Sequence, residues 1–168
     1  MSDRAAIDRA MLARLTDAQL QALMPSGPYF TIAAKGAVAF VVVFLDTYDG
    51  RELFRGKAFE TFTYGVKAVA LDTAGTAIAA AEARIDALLQ WRDGPPPFTI
   101  DGYDLCALSF VDRIKYVEVD AANADLRWQH AGGLYEVIVA EHPAPPARLT
   151  VDRTEEGKDR TNGSTTWQ

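Results

Sequence analysis

The chain is short of cysteine, histidine and positive charge, and each shortage removes a class of function. Cys106 is the single cysteine among 168 residues, so neither an internal disulfide framework nor a cysteine-based zinc site can be built. A reducing compartment is the natural setting. With 17 Lys and Arg against 23 Asp and Glu, the formal net charge is −6 and the pI near 4.9. Sequence-independent nucleic-acid binding needs a basic stripe that displaces counterions from phosphate, and this balance argues against it. An acidic chain can still surround DNA in a conduit, where repulsion keeps the DNA from sticking. No Gly-x-Gly-x-x-Gly and no Walker sequence follows any candidate strand, so no phosphate cradle is indicated. The longest apolar run, residues 37–45, falls far short of the ~20 residues a membrane helix needs. The first residues, MSDRAAIDR, are charged and lack the apolar core of a signal peptide. The expectation is a soluble protein made in the cytoplasm.

What the chain does have is apolar patterning. At 49% hydrophobic and 24% charged it is an ordinary globular composition. A chain of this length can bury roughly 70% of its unfolded surface without a disulfide or metal. Ile7, Met11 and Leu15 recur at helical spacing within 3–15. Thr16 and Gln19 then match a capping box that starts a short second helix carrying Leu20, Leu23 and Met24. Residues 29–34 suit a short strand. Residues 38–48 suit a second, apolar at every position from 38 to 45. The alternation of a strand with one wet face is missing there, so something must cover both faces: the helices of this chain, or a neighbouring subunit.

Asp49-Gly50 reads as the end of that strand, with 51–58 as a loop too long for a tight hairpin. The return strand alternates, with Phe62, Tyr64, Val66, Ala68 and Ala70 on one face and Thr61, Thr63, Gly65 and Lys67 on the other. Asp72 or Thr73 caps a helix over 74–91 whose buried stripe is Ile78, Ala81, Ile85, Leu88 and Leu89. Residues 93–97, DGPPP, stop it. A strand over 105–119 follows, with an irregularity at Asp112-Arg113. Residues 126–131 and 134–140 flank Gly132-Gly133, which suits a two-residue hairpin turn. That register places Trp128 opposite Val137 and His130 opposite Tyr135. Together these elements predict an α/β chain of the α+β type. Its mixed or antiparallel sheet of about four to six strands would be backed by the Ala-rich helix, with residues 1–140 as one domain. Residues 141–168 form a Pro-rich spacer and extended C-terminal tail.

Candidate chemistry is sparse. His130 has no nucleophile or carboxylate suggested beside it and reads as a structural or interface residue; His142, before Pro143, is weaker still. Cys106 at a strand start reads as a small buried apolar residue. Asp101 with Asp104, and the run from Asp120 to Asp125, lack calcium-loop spacing and read as turns. No catalytic residue, metal or cofactor is expected. Asp49, Arg51, Glu52, Arg55 and Lys57 make a locally charged loop suited to touching a partner or lining a channel. Arg148, Arg153, Arg160 and Trp167 are candidate partner contacts in the tail.

In element order the chain resembles the tail-terminator (tail-completion) proteins of long-tailed bacteriophages and related gene-transfer particles. The likeness is carried by residues 36–45 (GAVAFVVVFL), 62–89 (FTYGVKAVALDTAGTAIAAAEARIDALL) and 126–139 (LRWQHAGGLYEVIV). Where the family often has proline before the aromatic of the central strand, this chain has Ala39 before Phe40. The resemblance implies a structural virion protein of the tail or neck, assembled in the bacterial cytoplasm. It implies a homohexameric ring that caps the tail tube, stops its growth and meets the head connector. Tail-tube and connector proteins would be its partners, and DNA would only pass through. A second reading from another class is a small-ligand-binding α+β domain with a pocket formed by Tyr64, Trp128 and Tyr135. A third is a cofactor-free enzyme using aspartate and His130.

Overall fold

The computed structural model describes residues 4–53, 56–71 and 75–142, with backbone alone at 51–53, 56–58 and 75–76. Within them the order is α1 (Arg4–Leu15), α2 (Ala18–Leu23), β1 (Pro28–Phe30), β2 (Ala39–Leu53), β3 (Gly56–Leu71), α3 (Gly75–Leu89), β4 (Tyr103–Val119) and β5 (Arg127–Glu141). The sheet is five-stranded and mixed, ordered β1-β2-β3-β5-β4, with β1 parallel to β2 and the other neighbours antiparallel. The α+β class and the strand number agree with the sequence patterning.

The helical stripes are where periodicity puts them. Ile7, Met11 and Leu15 of α1 and Ile78, Ala81, Ile85, Leu88 and Leu89 of α3 are all buried. They share one core with Val41, Val43, Phe62, Tyr64, Val66, Tyr135, Val137 and Val139 of the sheet. Each fully buried Leu, Ile or Val contributes about 1.5–3 kcal/mol, so this face dominates the fold's stability.

Two tyrosines fasten the helices to it. Tyr64 donates to Asp8 of α1 at 2.6 Å, and Tyr135 donates to Asp86 of α3. Burial first, then the neighbouring carboxylate, pushes both phenols far above their ordinary value. Arg113 of β4 pairs with both Glu82 (3.1 Å) and Asp86 (2.9 Å) from the same helix.

The N-terminal helices therefore lie on the same face of the sheet as α3, not on the opposite one. The other face of β2 is covered by a smaller cluster. Phe40, Val42 and Val69 are buried there against Tyr29, Ala33, Ala37, Phe44 and Trp128. The irregular segment after β1 supplies part of that cover, beginning at Thr31 with φ 69°; the positive φ also ends the strand expected to reach residue 34.

The N-cap of α2 is Asp17 rather than Thr16. The Asp17 carboxylate accepts from the Gln19 and Leu20 amides at 3.1 and 2.9 Å and from Arg84 of α3 at 2.9 and 2.7 Å. Thr16 instead donates back to the Leu12 carbonyl at 2.9 Å. A carboxylate that can cap and pair with a guanidinium outcompetes a hydroxyl. The Arg84 hydrogen bond, then the Leu20 amide, hold the Asp17 carboxyl far below the usual carboxylate range. The expected caps Asp72 and Thr73 of α3 lie outside the described residues.

Two expected turns are strand. Asp49-Gly50 lies within β2, paired with Thr61 and Glu60, and the pairing continues to Leu53 opposite Gly56. The loop expected over 51–58 is thus a two-stranded arm with a register shift at Arg51/Glu52, and a second shift lies nearer the sheet at Leu45/Thr47. Glycine in a strand often accompanies such irregularities rather than a reversal.

Gly132-Gly133 likewise lies inside β5, which runs unbroken between β3 and β4. Trp128 pairs with Leu71 and Glu118, and Val137 with Phe62 and Leu108, so the expected hairpin register does not exist. A Cβ on Gly132 would sit 2.1 Å from the Val66 carbonyl oxygen, and one on Gly133 2.7 Å from the Phe110 ring. These glycines permit close approach instead of chain reversal. The irregularity expected at Asp112-Arg113 appears as a register shift between Phe110 and Asp112.

Candidate interaction surfaces

The charged positions expected to touch a partner fall on the β2–β3 arm. Asp49 pairs with Thr61, Arg51 with Phe59 and Glu52 with Lys57. Arg55 and the tail residues Arg148, Arg153, Arg160 and Trp167 lie outside the described residues. Pairing of β3 with β5 begins only at Glu60 opposite Val139, so the arm beyond it is a ribbon of two strands. Such a ribbon is marginal by itself in water. Phe59 on it is 48% exposed, and Tyr48, just before the arm on β2, is 47% exposed. The sequence placed charge here, but the loop expected over 51–58 concealed the strand that carries Phe59.

The sheet face away from the helices carries the most unusual polar group. His130 is 7% exposed, stacked at 4.2 Å on Tyr116. Its Nε2 is 3.3 Å from a Glu118 oxygen, but neither ring nitrogen makes a hydrogen bond. Burial lowers its pKa first, the Lys67 charge lowers it further, and Glu118 opposes both. Lys67 donates to the Tyr116 hydroxyl at 2.6 Å and lies over the Phe44 ring. No nucleophile joins this group among the described residues, and the expected partner Tyr135 lies on the other face.

The folded state therefore holds His130 neutral to lower pH than the unfolded chain does. Below about 6.5 the unfolded state binds the extra proton, so stability falls as pH drops through that value. The slope of melting temperature between about pH 5 and 7 should be shallower in His130→Phe than in the parent. Equal slopes would show that His130 is not held neutral.

The tyrosine pocket does not form. Tyr64 and Tyr135 are fully buried in the helix-side core, whereas Trp128 packs on the opposite face. Trp128 does border a shallow cleft of about 280 Å³ with Ala33, Ala37, Phe40, Val69 and His130.

The remaining candidates make local contacts. Asp120 accepts from the Ala122 and Asn123 amides and from the Trp128 indole, which lower its pKa, the indole most. Asp104 pairs with His142 at 2.8 Å, and Gly102 (φ 79°) turns the chain after Asp101. Cys106 is exposed, not buried; its side chain falls outside the core beside the register shift at Leu105/Ala107. Among the described residues no three His, Cys, Asp or Glu side chains converge as a metal site. No described helix is long and apolar enough to cross a membrane.

These features define an α+β fold whose one sheet face is helix-covered and whose margins, among the described residues, carry no further strand. The same fold occurs in a chain of the "virion of native gene transfer agent (GTA) particle", with TM-score 0.58 and 18% identity over 82% of this chain and 96% of that one. A second solved chain matches with TM-score 0.51 and 13% identity over 86% of this chain and 99% of its own. No protein-family model and no curated protein matches the sequence.

Proposed function

We propose that this chain is a structural virion protein of the tail-terminator kind. It forms a homohexameric ring that caps the tail tube, ends its polymerisation and joins it to the head connector, in the tail or neck of a phage-like particle. Its role is assembly rather than catalysis, and DNA passes through without specific binding. The observation that carries the reading is the fold shared with a gene transfer agent virion chain over nearly all of that chain's length. The sequence resemblance over 36–45, 62–89 and 126–139 supports the finer assignment to the tail-terminator kind. Exposed apolar margins and a projecting two-stranded arm are what a ring subunit needs.

The test is sedimentation and electron microscopy of the chain with tail-tube protein. Rings on tube ends and shortened tubes are expected. Compact monomers alone, with tube growth unaffected, would remove the proposal. The tail enters through its own prediction. Deleting residues 143–168 should leave the melting temperature within about 2 °C, corresponding to less than 1 kcal/mol, while weakening attachment to a neighbouring ring or connector. A loss of 10 °C or more on deletion would make the tail part of the fold instead.

A further inference from the structure

The sheet has two open margins at opposite ends of its strand order. On β4, the segment following α3 shields the first half, where the Trp91 amide donates to the Leu108 carbonyl at 3.3 Å. Beyond it, residues 109–119 have β5 on one side and, among the described residues, no strand on the other. On β2, β1 pairs only with Val41, Val42 and Val43. Among the described residues, 44–53 therefore have β3 alone as a strand neighbour.

Open edges of this length are templates for pairing with another chain, and monomeric proteins blunt them with charge, proline or a covering segment. The β4 margin carries Asp112, Arg113 and Glu118 but also exposes Val111 (52%), Tyr116 (44%), Val117 (59%) and Val119 (53%). Each margin also carries an exposed charge with no partner among the described residues: Lys115 on β4 and Asp46 on β2.

The strand directions are compatible. β2, β3, β5 and β4 alternate along the sheet, so β4 runs antiparallel to β2. Repeated rotation about an axis along the strands brings β4 of one copy antiparallel to β2 of the next. Setting Lys115 against Asp46 in that direction lays residues 112–114 along 47–49, between the register shifts at Phe110/Asp112 and Leu45/Thr47, and stops short of β1 at Val43.

We infer that the β4 edge around Lys115 of one copy pairs antiparallel with the β2 edge around Asp46 of a second copy, with Lys115 facing Asp46. This deepens the ring reading, on which it rests, by naming the surfaces that meet. The contact uses different patches on the two copies, so it repeats head to tail and closes if the rotation closes. Main-chain hydrogen bonds supply its affinity, and the valines and the charge pair set its register.

The test uses the full chain with Cys106→Ser, Lys115→Cys and Asp46→Cys, oxidised in the presence of tail-tube protein and run without reductant. A disulfide ladder rising to the full ring complement is expected, with either single new cysteine giving no ladder. Loss of rings in the doubly substituted chain alone, at unchanged melting temperature, would also place both residues in the contact. Rings that form normally without any cross-link overturn the edge pairing and leave the ring standing. Failure of the unsubstituted chain to form rings overturns the ring itself, and this contact with it.

Discussion

Gly132→Ala and Gly132→Asn are both expected to cost about 3 kcal/mol or more, the upper range for overpacking, and to lower the melting temperature by roughly 10 °C. The added Cβ meets backbone on β3, 2.1 Å from the Val66 carbonyl oxygen and 2.5 Å from the Lys67 Cα. Backbone in a central ladder cannot rotate away as a side chain can. Asparagine is the informative variant. A two-residue hairpin turn accepts Asn in the left-handed region at little cost, whereas a strand flanked on both sides by hydrogen-bonded neighbours does not. A thermal melt of Gly132→Asn within about 2 °C of the parent, less than 1 kcal/mol, would restore the turn and undo the continuous β5.

Val43→Asp is expected to prevent folding, and Val42→Asp to weaken the fold without abolishing it. Val43 is fully buried in the helix-side core. A carboxylate there has no described cation in that core, and an unpaired buried ion costs several kcal/mol, comparable to the whole stability of a domain. Val42 is 8% exposed on the smaller cluster, and its cross-strand partner is Lys67. A carboxylate at 42 would gain an opposite charge and some solvent. Circular dichroism and soluble yield separate the two outcomes. If both variants fail equally, the two faces of β2 are equally closed, and the assignment of one to a thin, partly open cluster is wrong.

Much of the fold was legible because periodicity reports burial directly. The α3 stripe from Ile78 to Leu89 and the β3 alternation from Phe62 to Ala70 appeared as expected, since each depends on a residue's own neighbours along the chain. The errors came at glycines and caps, where one local signal fits two structures. Asp49-Gly50 and Gly132-Gly133 carry turn chemistry. Their strand state is decided by Glu60 and Thr61 on one neighbour, and by Val66, Lys67 and Phe110 on others. Thr16 and Asp17 both suit an N-cap, and Arg84, 67 positions away, selects the aspartate.

The candidate surface divides in the same way. Charge on the 49–57 segment was readable, whereas the Glu118 carboxylate 3.3 Å from His130 was not. Nor was it readable that Lys115 and Asp46 lie on opposite margins of one sheet, because that depends on strand order. Taken alone, the sequence determined the α+β class, the helix-facing residues and the doubly apolar strand, all set by side-chain pattern over short stretches. The tertiary structure decided that all the helices share one face, that the second face of β2 rests on residues 29–37 and Trp128, and which edges stay open. Those depend on pairing between distant segments, where backbone hydrogen bonding is indifferent to side-chain identity and only three-dimensional fit chooses among registers.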